Sequence, residues 1–382
     1  MSVEVRPVQS QSDLMRFIKL PWRLYRNSPR WVPPLISERK HHLDRDKNPF
    51  FQHAEAEYFL AWRDGEPVGR ISAQVDQRLN EFQHNDWGLW GFFEVEDDPE
   101  IANALLSTAE AWLRERGRDN MVGPMDFTTN HECGLLVEGF ERPPQILENW
   151  HHPYYGALIE GYGLTKVMDL YKWELDIADR EKMLPIMFEL ADQVEPKYGV
   201  KVRPMRKRDF ENEVRAFMEV YNSAWEHNWG FVPLTDAELE SYAKELRPIL
   251  DENWAWIAES EDGKVVGAAL SIPDYNQVLA KLNGRLLPFG WAKALLARRK
   301  IDSVRVFALG VKRDWQHTGV AAKFYVEHFN SASRTPQTWG EMGWILETNT
   351  GMNRGMEAMN GRIVKRYRLY EKPLAEDRPT GE

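Results

Sequence analysis

Cysteine is nearly absent from the 382-residue sequence, which contains Cys133 alone. A single cysteine excludes an internal disulfide, and with one histidine close to it in sequence it offers too few ligands for a zinc site, so we expect no bound metal. A run of about 18 apolar residues is also absent, and the first residues, MSVEVRP, lack the apolar stretch of a signal peptide. We therefore expect a cytoplasmic protein with no membrane partner.

Positive charge is in deficit as well. The 49 Lys and Arg residues are outnumbered by 59 Asp and Glu residues, which gives a formal net charge of −10. Extended nucleic-acid binding requires many phosphate contacts from Lys and Arg, so we expect no nucleic-acid partner. Basic residues do cluster at 203–208 and 298–305, and we interpret both clusters as solvated ends of helices and loops.

Three common motifs are missing: a P-loop, a G-x-G-x-x-G after a strand, and a G-x-S-x-G. The sequence does contain an apolar, β-branched run at 304–311 that ends in a short polar loop and continues as a helical pattern. The loop follows the pattern Q-x-x-G-x-A, with Gln316, Gly319 and Ala321 at its fixed positions. Because small residues at a helix N-terminus leave backbone N–H groups open to an anion, this turn favours a phosphate or pyrophosphate.

The loop resembles the cofactor loop of the GNAT superfamily of N-acetyltransferases, whose consensus is V-x-P-E-Y-R-G-K-G-I-G. Val311, Asp314 and Trp315 follow that consensus in register, whereas His317 and Thr318 stand where Gly and Lys are commoner. The resemblance implies that acetyl-CoA or another acyl-CoA binds here as co-substrate, with its pantetheine along the preceding strand and the backbone N–H near residue 309 as oxyanion donor. The implied cofactor-binding residues are Leu309, Gly310, Val311, Gln316, His317, Thr318, Gly319, Val320, Ala321, Ala322 and Asn349.

An internal repeat is the second informative feature. Residues 3–7, VEVRP, recur as 200–204, VKVRP, and each copy is a short strand closed by proline and followed by an amphipathic helical pattern. Each half then contains two apolar runs separated by Asp-Gly, at Asp64-Gly65 and at Asp262-Gly263. Asp-Gly between apolar runs is typical of a β-hairpin, so both halves are predicted to share one fold.

The order of strands and helices in each half predicts an α/β (α+β mixed sheet) fold and matches the order of a GNAT domain. We expect two tandem acyl-CoA N-acyltransferase (GNAT-like) domains, a degenerate one at 1–178 and one with the cofactor loop at 179–382. The second half carries extra residues around 283–299. In the first half the equivalent loop, 96–103, reads EDDPEIAN, and its carboxylates would repel a diphosphate but suit helix capping. The first copy is therefore not expected to bind CoA in the usual manner.

The acid that protonates the leaving thiolate is not evident from the resemblance. The family often has a Tyr seven residues after the Asn that matches Asn349, but Met356 stands there in this sequence. Methionine cannot donate a proton, so another group serves or the thiolate leaves without a dedicated acid. Tyr370 is nearby in sequence and is the candidate acid, although packing in a closing strand also explains it.

Several residues could be the general base that an amine nucleophile requires. Glu347 ends the strand beside the cofactor strand. Glu226 and His227 lie in the aromatic-polar segment 225–231, WEHNWGF, which the resemblance implies closes over the acceptor. A second polar segment at 126–134, DFTTNHECG, is interpreted as a loop that shapes the acceptor pocket between the two copies, rather than as a catalytic triad.

The expected function is transfer of an acyl group from acyl-CoA to an amine of a small molecule. One alternative is a CoA-binding module without turnover, which the methionine in place of the expected tyrosine favours. Another is transfer of an aminoacyl group from tRNA, a reaction of other tandem proteins with one degenerate half, against which the negative charge argues. Amine-dependent release of free thiol would argue against a CoA-binding module without turnover. Binding of tRNA would favour aminoacyl transfer.

Overall fold

Residues 2–374 are described by a computed structural model, so Met1 and residues 375–382, at the ends of the two expected domains, lie outside the described part of the chain. The strands and helices of the first half are β1 (Glu4–Pro7), α1 (Gln11–Leu24), α2 (Ile36–His42), β2 (Ala54–Arg63), β3 (Glu66–Asp76), α3 (Gln77–Gln83), β4 (Trp87–Val95), α4 (Pro99–Glu115), β5 (Asn120–Gly123), β6 (Leu135–Glu138), α5 (Tyr155–Gly161) and β7 (Thr165–Asp176). Those of the second half are α6 (Pro185–Tyr198), β8 (Lys201–Pro204), α7 (Phe210–Trp225), α8 (Asp236–Leu246), β9 (Ala255–Glu259), β10 (Val265–Pro273), α9 (Asn276–Leu279), α10 (Gly290–Ala297), β11 (Ser303–Val311), α11 (Val320–Ala332), β12 (Trp339–Leu346), α12 (Thr350–Ala358) and β13 (Arg362–Pro373).

One mixed sheet joins the two halves, which confirms the predicted fold class. Its strand order is β1-β2-β3-β4-β5-β13-β7-β12-β11-β10-β9-β8, with β6 paired to β13 beside this path. Read from either end, the order visits equivalent strands of the two halves, as the sequence repeat predicts. Both hairpins are present, and Asp64 and Gly65 adopt the positive φ angles of 56° and 82° that a tight hairpin turn requires.

The last strands of the two halves are exchanged. β13 of the second half lies between β5 and β7, and β7 of the first half lies between β13 and β12. Tyr370 pairs with Gly123, and Leu346 pairs with Leu170, so each closing strand continues the sheet of the other half. The expected boundary at 178/179 falls between β7 and α6 and stays a prediction, because the two halves share one sheet.

Helices pack on both faces of the sheet, because successive apolar side chains of each strand point to opposite faces. In β2, Phe59 packs into the core under α4, and the neighbouring residue Tyr58 packs into the core under α1. In β9, Trp256 lies in the core with α11 and Ile257 in the core with α7. Strand side chains point alternately to opposite faces, so an apolar run without polar interruptions indicates a strand buried on both sides.

Candidate functional site

A cavity of about 910 Å³ lies on the face of the sheet that carries α1, α2, α7 and α8. Residues of both halves form its walls. The second-half wall is mainly apolar and comes from α7 to α10, for example Phe217, Leu239 and Leu279. The first-half wall carries most of the charged and imidazole groups. Pockets for small organic ligands are typically about 300–1,000 Å³ and mostly apolar with a few polar groups, so this cavity is of ligand-binding size and character.

The cavity reaches the sheet where β11 separates from β12. The two strands are paired in parallel only as far as Val306 and Met342, and β11 then continues to Val311. The register of β10 against β11 also shifts at this point, which leaves Phe307 as an extra, bulged residue. Phe307 and Ala308 line the cavity, with Trp344 of β12 across the gap. A V-shaped opening between two parallel strands therefore connects with the cavity.

The equivalent opening in the first half is filled by the chain itself. β4 and β5 also part, after Leu89 and Val122. Beyond that point the N–H of Met125 donates to the Trp90 carbonyl at 2.7 Å, and the Phe92 N–H donates to the Asp126 carboxylate at 2.8 Å.

The far end of β4 is occupied too, because the Val95 N–H donates to the Tyr155 hydroxyl at 3.2 Å and the Val95 carbonyl accepts from Tyr154 at 2.7 Å. No comparable side-chain or loop bonds to the backbone of 307–310 occur in the described structure. Of the two halves, the second alone offers a strand edge to an extended ligand.

The loop at 312–319 connects β11 with α11 as the sequence predicts, mostly as a 3₁₀ turn. Gly319 has a φ of 86°, and a Cβ built on it would lie 2.9 Å from the Leu190 carbonyl oxygen of α6, so only glycine fits. The first intrahelical bond of α11 runs from the Lys323 N–H to the Gly319 carbonyl at 3.0 Å, and the first turn of a helix leaves its earlier N–H groups without intrahelical partners. The Gln316 amide nitrogen donates to the Val311 carbonyl at 3.2 Å, which holds the loop against the strand.

Asn349 and Thr318, both predicted to contact the cofactor, have local partners. The Asn349 side chain accepts from the Met352 N–H at 3.1 Å and caps α12. The Thr318 hydroxyl donates to the Trp315 carbonyl at 2.6 Å. His317 is exposed, and its ring lies 5.9 Å from that of Tyr198. The structure brings the predicted loop and strand residues together, and their contacts with a cofactor stay predictions.

The three predicted catalytic residues are not among the residues that line the cavity. The Glu347 carboxylate accepts from the Asp169 N–H at 3.0 Å and from the Lys166 ammonium at 2.8 Å. Glu226 is largely exposed. Tyr370 is fully buried in the core of the first half, where its hydroxyl donates to Glu160 at 3.2 Å, because strand exchange carries β13 away from the second-half opening. Their catalytic roles stay predictions.

The two segments predicted to shape an acceptor pocket meet at the cavity. Thr129 donates through its hydroxyl to the Gly230 carbonyl at 2.7 Å, and the Asn130 amide donates to the Val232 carbonyl at 3.0 Å. The Tyr221 hydroxyl of α7 donates to the Asn130 amide oxygen at 2.8 Å. Members of both segments line the cavity: Trp225, Asn228, Trp229, Phe231, Asp126, Thr129, Asn130, His131, Glu132 and Cys133.

Helix α2 supplies polar cavity groups that sequence reasoning missed. Arg39 forms an ion pair with Glu132 at 2.9 Å. The buried Nε2 atom of His42 has no hydrogen-bond partner among the described groups, and burial holds the pKa of this imidazole well below its ordinary value, so the ring is neutral. Burial also lowers the pKa of the neighbouring His131 to about 4. Sequence spacing gave no signal for this cluster, because α2 and the 126–134 segment meet only in the folded chain.

A buried ion cluster also touches the cavity, at the exchanged strands. Glu148 lies between Lys172 of β7, Lys365 of β13 and Arg305 of β11. Burial raises the pKa of Glu148, but the three cations outweigh that effect and bring it to about 2. Burial lowers the pKa of Lys172 to about 8 against the attraction of Glu148. The ionised Glu148 thus links strands of both halves through its three cations, and a carboxylate with so low a pKa does not suit proton acceptance at neutral pH.

The described residues contain neither a candidate metal-binding cluster nor a membrane-spanning helix. Among residues 2–374, no group of three or more His, Cys, Asp or Glu side chains is placed to hold a metal ion. Within the same residues, no helix is both long and apolar enough to cross a bilayer.

Comparison with known proteins supports the fold and identifies relatives. No family model matches the sequence. The chain is 38% identical over 380 residues to the bacterial ceramide synthase of Caulobacter vibrioides, covering 97% of this chain and 98% of that protein. It is 38% identical over 377 residues to the protein YghO of Escherichia coli K12, covering 97% of this chain and 95% of that protein. Among solved structures, a tandem GNAT protein from the clavulanic acid biosynthesis pathway superposes with a TM-score of 0.58 at 14% identity, covering 98% of this chain and all of that one.

The described chain, with its two halves and the opening in the second, has the fold of tandem GNAT proteins. Within that class, the chain belongs to the family that contains the bacterial ceramide synthase and YghO.

Proposed function

We propose that the protein is an acyl-CoA-dependent N-acyltransferase whose acceptor is a long-chain amine of the sphingoid-base type. The observation that carries the proposal is the cavity of about 910 Å³, which joins the open edge of β11 to a large apolar wall. A ceramide is the N-acyl derivative of a sphingoid base, so the similarity to a ceramide synthase supports the same acceptor chemistry. The expected cytoplasmic location is part of the proposal.

The residues of the second half fit the acyl-CoA that the proposal requires. The free edge of β11 at 307–310 suits the amide groups of pantetheine, which can bind as an added strand. The N-terminus of α11, with Ala321 and Ala322 in its first turn, suits the pyrophosphate. Helix α6 packs on the Gly319 side of the loop, so the phosphates would approach from the side of Gln316 and Ala321.

The cavity wall suits an acceptor with a polar head and a long apolar tail. Phe217, Leu239 and Leu279 belong to the apolar wall, where burial of methylene groups is favourable by about 0.8 kcal/mol each. Arg39 and His42 belong to the polar wall, where hydroxyl groups of a head group can form hydrogen bonds. A short polar amine would leave the apolar wall unfilled, so chain length is expected to determine affinity.

In the reaction, the neutral amine nitrogen attacks the thioester carbonyl carbon, the C–S bond breaks, the nitrogen loses a proton and the thiolate gains one. The proposed donor to the carbonyl oxygen is the backbone N–H near Leu309, and the cavity wall would exclude water. Glu347, Glu226 and Tyr370 stay proposed proton-transfer groups. His42 is a further one, because its neutral Nε2 is unpaired at the cavity wall.

The test is an acyl-transfer assay with the purified full chain. Acetyl-, octanoyl- and palmitoyl-CoA are each combined with sphinganine or with a short amine, and both free thiol and amide product are measured. We expect amide formation with sphinganine and little with the short amine. Thiol release without any amine dependence, or a preference for the short amine, would contradict the proposal. CoA binding without turnover would favour a non-catalytic CoA-binding module. Turnover with aminoacyl-tRNA would favour an aminoacyltransferase.

A matched pair of variants tests the assigned CoA position. Ala321→Glu places a carboxylate at the N-terminus of α11, whereas Ala321→Gln adds a neutral side chain of the same size. Repulsion between the carboxylate and the diphosphate should weaken CoA binding at least about tenfold relative to the glutamine variant, as measured by calorimetry. Equal affinities for the two variants would show that the pyrophosphate binds elsewhere.

A further inference from the structure

The segment 275–301 includes the extra residues of the second half. It contains the large apolar side chains that have the highest exposed fractions of any in the described chain. Leu287 and Phe289 are each 74% exposed, and Leu296 is 70% exposed. Trp291 and Leu295 are also exposed large hydrophobic residues. Soluble proteins rarely expose a contiguous group of large apolar side chains unless that surface contacts a partner or a membrane.

The same segment carries a charge opposite to that of the whole chain. Its 27 residues contain six Lys or Arg residues and no Asp or Glu, whereas the whole chain has a formal net charge of −10. All six basic residues are exposed, and none forms an ion pair within residues 2–374: Lys281, Arg285, Lys293, Arg298, Arg299 and Lys300. Unpaired cations beside exposed Leu, Phe and Trp are the combination that peripheral membrane segments present to anionic lipids.

The segment has a fixed base beneath this surface. Val278, Leu282, Ala297 and Ile301 form a small buried cluster of their own. The base is also tied to the first half, because the Ile36 N–H donates to the Gly284 carbonyl at 3.0 Å. The exposed side chains therefore stand on an ordered support and can enter a bilayer together.

The surface is continuous with the cavity. Leu286, Trp291, Leu295 and Arg298 line the cavity, while Leu287 and Phe289 project from the same segment into solvent. One side of the segment thus forms part of the cavity wall. Its tip, at Leu287 and Phe289, forms part of the protein surface. A lipid chain that leaves a bilayer at this tip would meet the cavity wall without crossing water.

We propose that segment 275–301 docks the protein on anionic phospholipid bilayers, with Leu287, Phe289 and Leu296 inserted and the basic residues on the lipid phosphates. A bilayer partner differs from the expectation drawn from the sequence, which rested on the absence of a membrane-spanning run. A surface patch of this kind needs no such run, because it lies in the interface instead of crossing it. Binding to vesicles requires no turnover, so it can be tested apart from the proposed function.

The experiment measures binding of the full chain to vesicles by flotation, with neither acyl-CoA nor amine present. Vesicles of phosphatidylcholine are compared with an equimolar mixture of phosphatidylcholine and phosphatidylglycerol. We expect binding to the anionic vesicles that is at least about tenfold stronger than to the neutral ones and that weakens as salt rises. Equal binding to both compositions, or no binding to either, would overturn the proposal.

Two pairs of variants separate the contributions of the patch. Leu287→Ser combined with Phe289→Ser should weaken anionic-vesicle binding by roughly tenfold or more. Arg299→Gln combined with Lys300→Gln should also weaken it about tenfold, whereas the matched control of Lys201→Gln combined with Lys207→Gln should leave it unchanged. Circular dichroism shows whether each double variant is folded. If the double serine variant is misfolded, the double glutamine variant at Arg299 and Lys300 still tests the proposal.

Other occupants of the patch give distinct results. If the patch joined two copies of the chain, sedimentation would show a dimer that the serine pair dissociates, with no vesicle binding, and the proposal would be wrong. If vesicle binding follows the predicted pattern but no acyl transfer is seen with any amine, the docking surface stands and the proposed function fails.

Discussion

At the scale of single residues, Gly310 shows how one missing side chain shapes the site. A Cβ built on Gly310 would lie 2.4 Å from the ring of Trp225, which packs over β11 and lines the cavity. Glycine at this position lets an indole lie directly on the backbone of the strand that borders the opening. The same indole lies against the ring of Tyr221 in a tilted arrangement, with ring centroids 4.9 Å apart, so the wall is aromatic at this point.

Gly310→Ala should therefore displace Trp225 and destabilise the chain by about 1–3 kcal/mol. The free energy of unfolding in urea measures the effect, and acyl transfer should fall with it. Gly351→Ala is the control, because at Gly351, in a helix, a Cβ would meet nothing closer than 3.9 Å. In the background of Trp225→Leu, the cost of Gly310→Ala should shrink. An undiminished cost there would show that the ring is not the cause.

The sequence was sufficient to place the loop at 312–319 and the strand before it, because both depend on short-range patterns of apolar and small residues. It was insufficient for the proton-transfer groups. Tyr370 is close to the loop in sequence, but β13 carries it into the core of the first half. No signal in the sequence indicated His42, because its position on the cavity wall depends on contacts between distant segments.

At the scale of elements, the two halves use equivalent strands differently. The end of β4 is hydrogen-bonded to its own loop and to Tyr154 and Tyr155, whereas the edge of β11 is open at 307–310. The acidic loop at 96–103 is a capping structure, since the Asp98 carboxylate accepts from the Glu100 N–H at 2.8 Å and begins α4. The loop at 96–103 thus belongs to the half whose opening between β4 and β5 is closed. The loop at 312–319 belongs to the half whose opening between β11 and β12 is retained.

Helix α8 is attached to the first half through His53, which lies between two carboxylates. Its Nδ1 is 2.9 Å from Asp76 and its Nε2 is 3.3 Å from Glu238 of α8. Burial lowers the pKa of His53, but the hydrogen bond to Asp76 and the negative charge of both carboxylates outweigh burial and raise it to about 9. An imidazolium between two carboxylates joins the end of β3 in the first half to the helix that covers the cavity.

This arrangement predicts a pH dependence of stability. Because the folded-state pKa of His53 is raised, its contribution is complete below the unfolded value of about 6.5 and is lost as pH rises through about 9. The site is partly open to solvent, so we expect a loss of about 1–2 kcal/mol over that range. Urea unfolding at several pH values should show the slope in the wild type and a flatter profile in His53→Gln. The same slope in both proteins would rule out this residue as its origin.

At the scale of the whole molecule, strand exchange makes each half complete the core of the other. Tyr370 and Leu374 from the end of the chain lie in the core of the first half, and Trp173 and Leu175 from β7 lie in the core of the second. The repeat in the sequence predicted two equivalent closing strands. It could not predict the exchange, because each closing strand has the same apolar pattern whether it pairs within its own half or with the other.

Strand exchange predicts that the two halves do not fold independently. A fragment of residues 1–178 would lack β13 beside β5, and a fragment of 179–382 would lack β7 beside β12, so each would expose an unpaired strand edge and an incomplete core. Each fragment alone should show little ordered structure by circular dichroism and amide exchange, whereas co-expression should yield a complex with a single cooperative unfolding transition. The alternative is that β7 takes the place of β13 and closes its own half. A folded, monomeric 1–178 fragment would establish that arrangement, and the exchange would then be a preference of the intact chain and not a requirement for folding.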